Sequence, residues 1–360
     1  MSQTALYRKS QILNNTMNIF NLFCKKKPMK LITIILINLM LPAINSQNDK
    51  ITVLFWNLEN FFDYKDGGKG VADKEFSSSG KRRWTANRFN AKCRAFCKSI
   101  FWIAEKNKHF PDIIGVAEIE NRFVLERCLK STNLRKMDYG IVHYDSFDHR
   151  GIDVALFYRK SKFRLLSSKP CRIYKDIFLP NDTILHTRDI LLVKLKANIP
   201  PNYPTLCVLV NHHPSKYGGN SSENRRLLAI NRLREIMDSL YLEHENILIA
   251  TGDFNEEAKN SLFERISTDS KKTVGYINMG AKLKGEGSIR FNGKWELIDN
   301  FFISKTITGA KMQLIKIPFL MTWDKVHTGE KPLRTFVGPK YNGGVSDHLP
   351  ILLEMPTSTL

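Results

Sequence analysis

Seven short apolar, β-branched runs recur along the chain: "ITVLFW" from residue 51, "DIIGVA" from 112, "IDVALFY" from 152, "ILLVKL" from 190, "LCVLV" from 206, "NILIAT" from 246 and "LPILL" from 349. Runs of this length and composition read as strands buried on both faces. Helical patterns fall between some of them. Over 85–107, Phe89, Cys93, Phe96, Ile100 and Ile103 share one face and Thr85 is placed as an N-cap; over 222–241, Leu227, Leu228, Ile230, Leu233, Ile236 and Leu240 recur at helical spacing. Strands mixed with helices mean an α/β or α+β class. No Pro/Gly/Ser linker, repeat or low-complexity tract divides the chain after residue 50, so a single domain is the simplest organisation. Residues 63–83 and 305–345 read as long surface loops.

The first residues read differently. Lys25, Lys26, Lys27 and Lys30 precede an apolar run that ends near small and polar residues, the layout of a secretory signal with cleavage near Ser46. The run is shorter than the roughly 20 residues a membrane span needs. We therefore expect an N-terminal extension and signal peptide over 1–46, one domain over 47–360, and a secreted or periplasmic protein, with Met1, Met17 and Met29 all open as starts. Five cysteines lie beyond the leader, Cys93, Cys97, Cys128, Cys171 and Cys207. That odd, scattered set is neither a disulfide framework nor a zinc site. The net charge is +20, and six basic but no acidic residues lie in 1–46, which leaves +14 for the rest. Such a surplus suits a nucleic acid or an anionic membrane surface, and equally a basic surface kept for solubility.

Several apolar runs end in polar residues whose chemistry fits together. "LFWNLEN" supplies Asn57 and Glu59, "IIGVAEIEN" supplies Glu118, "RGIDVALFY" supplies Asp153, and "VLVNHHP" supplies His212 and His213. "GDFNEE" then brings Asp253 and Asn255, "ELIDNFFIS" brings Asp299, and "SDHLPI" brings Asp347 and His348. Singly, each is an ordinary turn former or cap. As a set they are the parts for hydrolysing a phosphoester. Carboxylates such as Glu59, Glu118 and Asp347 are hard ligands for Mg²⁺ or Mn²⁺. Histidines beside spare aspartates can act as acid or base, and amides can donate to phosphate oxygens without adding charge.

These motifs, "FWNLEN", "AEIEN", "NHHPS", "GDFN", "IDNFF" and "SDHLPI", resemble in order and spacing those of the endonuclease/exonuclease/phosphatase superfamily over residues 51 to about 354. The resemblance implies a deoxyribonuclease I-like fold: a four-layered sandwich of two mixed β-sheets flanked by helices, with the site where strand ends converge. It implies Glu118 as the principal Mg²⁺ (or Mn²⁺) ligand, with Glu59 and Asp347 at further acidic positions around the metal. Asn57 and Asn255 would orient phosphate and Asp253 would position or deprotonate the attacking water. His348 would be held by Asp299, while His212 would polarise the phosphate and pair with Asp153. His213 would be a rim or packing residue. Ala117 and Asn300 depart from the family pattern at positions without essential chemistry. Arg150, Lys216, Arg334 and Lys340 flank motifs and are candidates for holding phosphate. The segments "GKRRWTANRF" and "LRTFVGPKYNGGVSDHLP" resemble those of secreted bacterial members.

The leading expectation is a metal-dependent phosphodiesterase or endonuclease with nucleic acid as substrate. The alternatives are a phosphatase or sphingomyelinase-like phospholipase, acting on a phosphorylated small molecule or lipid, and a non-catalytic binding protein on the same scaffold. The sequence contains no evident paired-aromatic hairpin for membrane contact, only "IPFLMTW" at 317–323. Nothing in it calls for an obligate protein partner, and a monomer is expected.

Overall fold

The structure, a computed structural model, describes residues 50–175, 184–198, 204–216, 220–269, 273–283, 285 and 287–357. The expected signal peptide and cleavage near Ser46 fall outside the described residues. In chain order the first half comprises β1 (Lys50–Phe61), α1 (Ala86–Asn107), β2 (Ile113–Ile119), α2 (Arg122–Lys130), β3 (Tyr139–His143), β4 (Asp153–Arg159), β5 (Phe163–Cys171) and β6 (Ile190–Ala197). There follow β7 (Thr205–His212), α3 (Asn220–Leu242), β8 (Ile247–Asp253), α4 (Glu264–Ser267), β9 (Ile277–Asn278), β10 (Ile289–Phe291), β11 (Lys294–Glu296) and β12 (Asp299–Ile303). The last part holds β13 (Lys311–Leu314), β14 (Met321–Trp323), β15 (Glu330–Pro332), β16 (Phe336–Val337), β17 (Lys340–Tyr341) and β18 (Ile351–Pro356).

Two six-stranded sheets form the frame, in the orders β13-β18-β1-β2-β4-β3 and β5-β6-β7-β8-β12-β9. Each is mixed in the same way: one central parallel pair, β1 with β2 or β7 with β8, is flanked by antiparallel neighbours. The period of two along a strand sorts its side chains between layers. Val53 and Phe55 of β1 face the other sheet and pack with Val208, Val210, Ile249 and Phe301, whereas Leu54, Trp56 and Leu58 face α1. Both faces are therefore buried, as the continuous apolar runs require. On the outer side of the second sheet, Leu209, Leu248 and Phe302 meet Ile230, Leu233, Met237 and Leu240 of α3. Three apolar layers thus separate helix, sheet, sheet and helix, the four-layered sandwich.

Helix α1 starts where its sequence says it should: Thr85 accepts a hydrogen bond from the Arg88 N–H at 3.5 Å, and Phe89, Cys93, Phe96, Ile100 and Ile103 are buried. Burying such a side chain is worth about 1.5–3 kcal/mol, so the packed face holds the helix more than intrinsic propensity does. Among the described residues Cys93, Cys97, Cys128, Cys171 and Cys207 are free and buried. Among the described residues no helix is long and apolar enough to cross a membrane.

The stretch 305–345 is not a surface loop throughout. It supplies the edge strand β13, the hairpins β14–β15 and β16–β17, and buried Ile315, Ile317, Leu320 and Phe336. Its Pro, Gly and basic residues mask short strands that alternate too briefly to register as a pattern. The β14–β15 hairpin of this stretch and the preceding β10–β11 hairpin each carry an exposed aromatic, Trp323 on β14 and Phe291 on β10, which are 59% and 58% exposed. Because these rings come from separate hairpins, no single stretch of sequence pairs them. The 63–83 segment remains without regular elements, pinned by Asp73, which accepts the N–H groups of Gly67 and Gly68 at 2.9 Å.

Candidate active site

The two parallel pairs run their C-terminal ends to one edge of the sandwich, and the antiparallel strands β4 and β12 begin there. Register then fixes the neighbours: Asp253 stands opposite Asp299 on one side and His212 on the other. Asn57 and Glu59 end β1, Glu118 ends β2, and Asp347 and His348 lead into β18. Four of the non-glycine residues with positive φ belong to this edge, Glu59 (45°), Asn60 (47°), Glu118 (60°) and Asn255 (51°). Left-handed backbone costs energy for a side chain with a Cβ, and its concentration here is the pattern of a functional site.

On one side lies a dry proton-bearing group. His348 Nδ1 sits 2.7 Å from Asp299 Oδ2, and its Nε2 is 3.7 Å from Asp253 Oδ2. Asp253 also accepts from Asn57 Nδ2 at 3.1 Å and from the Asn255 N–H at 2.9 Å, with His212 Nε2 at 3.6 Å. Ser346 Oγ donates to Asn57 O at 2.6 Å and accepts the His348 N–H at 2.9 Å, which locks the final motif onto β1. All four acid and imidazole groups, Asp253, Asp299, His212 and His348, are buried. Burial would lower the pKa of His348, but Asp299 and Asp253 outweigh it and hold it well above the ordinary value. Burial raises Asp253 to about 7, with Asp299 adding to the rise and His348 opposing it. His212 is pushed well below the usual histidine range by burial and by Arg188 and Arg150, so it is neutral.

The other side is acidic and filled with cations. Glu118 accepts the Asn60 N–H at 2.7 Å and faces Arg150 Nη2 at 3.3 Å. Burial would raise its pKa, yet Arg150 and that N–H bring it down to about 2. Glu59 accepts from Arg334 Nε at 2.8 Å and the Thr335 N–H at 2.9 Å, and Arg334 Nη2 reaches Asp347 at 3.0 Å. Beneath them the wholly buried Lys92 donates to Glu59 O at 2.7 Å and Thr335 Oγ1 at 2.8 Å. Burial and Asp347 raise Glu59 to about 7, and burial lowers Lys92 to about 8.

The structure brings Asn57, Glu59, Glu118, His212, Asp253, Asn255, Asp299, Asp347 and His348 to this edge, but not every expected pairing. Asp153 meets His143 Nε2 at 3.2 Å and accepts from Ser146 N–H at 2.9 Å, not from His212. Its strand β4 pairs with β3, which sets His143 beside it, while His212 belongs to the other sheet and faces Asp253. The amide nitrogens of Asn57 and Asn255 are turned onto Asp253 and onto His213 O. His213 is a packing residue, buried against Phe254 at 4.8 Å. Lys216 pairs with Glu296, and Lys340 is exposed on β17.

Among the described residues, the trios whose ligand atoms all lie within 4.8 Å of one another are Asp253–Asp299–His348 and His143–Asp145–Asp153, and Glu59, Glu118 and Asp347 do not form one. A hard divalent cation still fits best at Glu118, a carboxylate kept ionised beside further oxygen donors. Arg334 stands between the other two acids. Sequence reasoning missed Lys92, Arg188, Thr335 and Ser346. Lys92 left a signal, a cation three residues after Phe89 and four before Phe96 on the apolar face of α1. Arg188, whose guanidinium donates to His212 O at 3.1 Å and His213 O at 2.6 Å, left none in the loop before β6.

Fold and site together define a class, a deoxyribonuclease I-like α/β sandwich with acids, imidazoles and amides gathered at its shared strand ends. The chain belongs to the Endonuclease/Exonuclease/phosphatase family, whose model matches residues 52–357 and whose members are generally metal-dependent phosphoesterases. No curated protein matches it. Among solved structures it is similar to a family protein from Bacteroides thetaiotaomicron, with TM-score 0.53 and 15% identity over 86% of this chain and 98% of that one. It is similar to D. rerio TDP2 complexed with single-strand DNA product, with TM-score 0.51 and 14% identity over 86% of this chain and 100% of that one. It is also similar to a Bacteroides thetaiotaomicron mannosyl-6-phosphatase, with TM-score 0.52 and 15% identity over 85% and 99%. At such identities the likeness establishes the fold alone.

Proposed function

We propose that the protein is an exported, Mg²⁺-dependent phosphodiesterase, an endonuclease or close relative, acting on nucleic acid. One observation carries the reaction: the Asp299–His348 pair at 2.7 Å, with Nε2 turned toward Asp253 and the ionised Glu118 across the same cleft. Asp253, raised to about 7, has the basicity to take a proton from an attacking water near neutral pH. His348, kept protonated by Asp299, presents a positive N–H to the charge that gathers on the phosphate oxygens. Neutral His212 adds a second donor from β7, and Arg188 fixes the backbone that carries it. Glu118, with Asp347 and Glu59 nearby, would hold Mg²⁺, which supplies Lewis acidity at a phosphate oxygen and lowers the pKa of bound water.

Nucleic acid is supported by the +14 that remains beyond residue 46, and by TDP2 among the similar folds, solved with a single-strand DNA product. Export is supported by the lysines and apolar run that end near Ser46. A second reading, a phospholipase, is favoured by exposed Phe291 and Trp323: β10 bridges His348 through Ile289, so apolar hairpins border the cleft. Purified protein incubated with DNA, RNA, bis-p-nitrophenyl phosphate and sphingomyelin, with Mg²⁺ and with EDTA, tests both. Metal-dependent cleavage of DNA or RNA, with KM rising steeply with salt through counterion release, is expected. No metal-dependent cleavage of any of the four would overturn the reading, and cleavage of sphingomyelin alone would replace it with the second.

A further inference from the structure

The two basic, aromatic segments 80–89 and 333–350 lie far apart in sequence and fold into one unit beside the catalytic edge. Trp84 packs on Phe336 at 5.8 Å and Tyr341 at 6.3 Å, and the Arg88 guanidinium lies 4.6 Å over Tyr341. Arg82 spreads over Phe76 at 5.5 Å and Phe336 at 5.3 Å, bonds Glu75 through Nε at 2.7 Å, and donates from Nη1 to Gly338 O. A cavity of about 150 Å³ opens at their junction, bounded by Glu59, Asn60, Arg82, Arg334, Thr335 and Gly338. It shares Glu59 and Arg334 with the acidic side of the site.

Its chemistry is that of an anion site. Each carboxylate oxygen of Glu59 accepts one hydrogen bond, from Arg334 Nε and from the Thr335 N–H, which offsets the charge this acid turns toward the cavity. Two guanidinium groups also line it. Among the described residues Arg82 Nη2 and Arg334 Nη1 are left without partners. Residues 81–94 around it carry Lys81, Arg82, Arg83, Arg88, Lys92 and Arg94 and no acid. The Arg82 fork, fixed beside two phenyl rings at 5.5 and 5.3 Å, lines the same cavity as the Arg334 fork, and two such forks suit the tetrahedral oxygens of a phosphate. The volume admits a phosphate group.

We propose that this cavity is a subsite for a second phosphate, the one neighbouring the phosphate that is hydrolysed, so that the substrate class is an ester carrying at least two phosphates. This rests on the phosphodiesterase reading above. Such a phosphate can belong to a nucleic acid strand or to a bisphosphorylated small molecule. Calorimetric titration of the full chain in Ca²⁺ with deoxythymidine 3′,5′-bisphosphate and each monophosphate, and with glucose 1,6-bisphosphate and glucose 1-phosphate, reads it directly. We expect the nucleoside bisphosphate to bind at least tenfold more tightly than the better monophosphate. In R82Q, which keeps the apolar stem and an amide for Gly338 O, that advantage should fall below threefold, with a thermal melt to show that the fold is intact; R82A is the second variant.

A matching gain with the glucose pair means that the subsite reads phosphates on any scaffold. A gain confined to the nucleotide means that it reads a strand; either supports the proposal. Equal affinities in the wild type, or an advantage that persists in both Arg82 variants, overturn it. Should the variants fail to fold, the wild-type ratio decides. Failure of the phosphodiesterase reading looks different: no hydrolysis of any phosphoester in Mg²⁺, whatever the binding ratio. Hydrolysis of bis-p-nitrophenyl phosphate with no bisphosphate advantage sinks the subsite alone.

Discussion

Asp253 and Asp299 face each other across the β8–β12 register, and Glu59 and Asp347 share Arg334 where β1 ends. Both pairs put two acids side by side, the first wholly buried and the second partly exposed at Asp347, and the first is balanced by an imidazole, the second by a guanidinium and a buried ammonium. The first pair can pass a proton between its members. The second cannot use Arg334 in that way, because arginine keeps its charge at any ordinary pH. The difference assigns labour: one half of the site moves protons, and the other holds a fixed field around the place where a cation and a phosphate would meet.

The sharpest way to break this division is at His348 and Asp299. If they act as one unit, either H348A or D299A should lower kcat by about 10²–10⁴, the usual contribution of a positioned acid or base. The double variant should then be little worse than H348A. Rates and thermal melts of the four proteins check it. Additive losses in log kcat, or a D299A variant that loses stability but keeps its rate, would make Asp299 a structural acceptor.

On the fixed-charge side, E118Q should remove metal-dependent activity by roughly 10²–10³-fold while the melt stays near the wild type, because shape is kept and a hard anionic ligand is lost. Glu118, brought down to about 2, is ionised throughout the assay range, so the deficit should not depend on pH. Direct titration with Mn²⁺ gives a readout independent of turnover. Undiminished Mn²⁺ affinity would place the ion elsewhere, with the Asp253–Asp299–His348 trio as the first alternative.

Much of this was legible in the sequence. The seven apolar runs all became strands, since a buried strand must be apolar on both faces, and the polar residues closing them met because parallel central pairs send their ends to one edge. Pairing was harder to read. Asp153 and His212 are both strand-end residues, and only sheet membership shows that His143 intervenes. Among the cations, Arg334 reads as a phosphate candidate, but its pairing with Glu59, 275 positions away, was not legible, and neither was the contact of Lys92 with Glu59 O, 33 positions away.

A milder perturbation sharpens the comparison from below the acids. K92M takes the ammonium from under Glu59 and leaves Glu59 O and Thr335 Oγ1 without their donor. Breaking a buried charged contact typically costs about 3–5 kcal/mol. The fold should survive with a lower melting temperature, and kcat/KM should fall about tenfold as the β1 end and the 334–335 turn loosen, roughly 1.4 kcal/mol in the barrier. K92R, which keeps the charge, should recover part of the rate. A K92M enzyme with wild-type kinetics and only a lower melt would leave Lys92 a structural residue.

The smallest expected effect on rate lies at His213, next to His212 and without its role. Its ring is buried against Phe254, and neither ring nitrogen has a partner among the described residues. An unmet buried polar group costs about 1–3 kcal/mol, so H213F should be neutral or mildly stabilising at pH 8, allowing for its larger ring. The pH dependence is more telling. Burial, with Arg188 and Arg226, lowers His213 to about 3. The unfolded chain binds a proton near pH 6.5 and the folded protein does not until far lower, so stability falls as pH drops from about 6.5 toward 3, by up to about 1.4 kcal/mol per unit. H213F lacks that liability, and its advantage over wild type should grow by about 2 kcal/mol between pH 8 and pH 5. Because the residue serves the site only through its backbone, accepting from Arg188 and Asn255 and donating to Asp253 O, kcat should stay within about twofold by the same reasoning that surface and packing changes leave chemistry alone. Urea melts at the two pH values and one rate measurement suffice: a tenfold loss of kcat with unchanged stability would give His213 a part in the proton-moving half of the site.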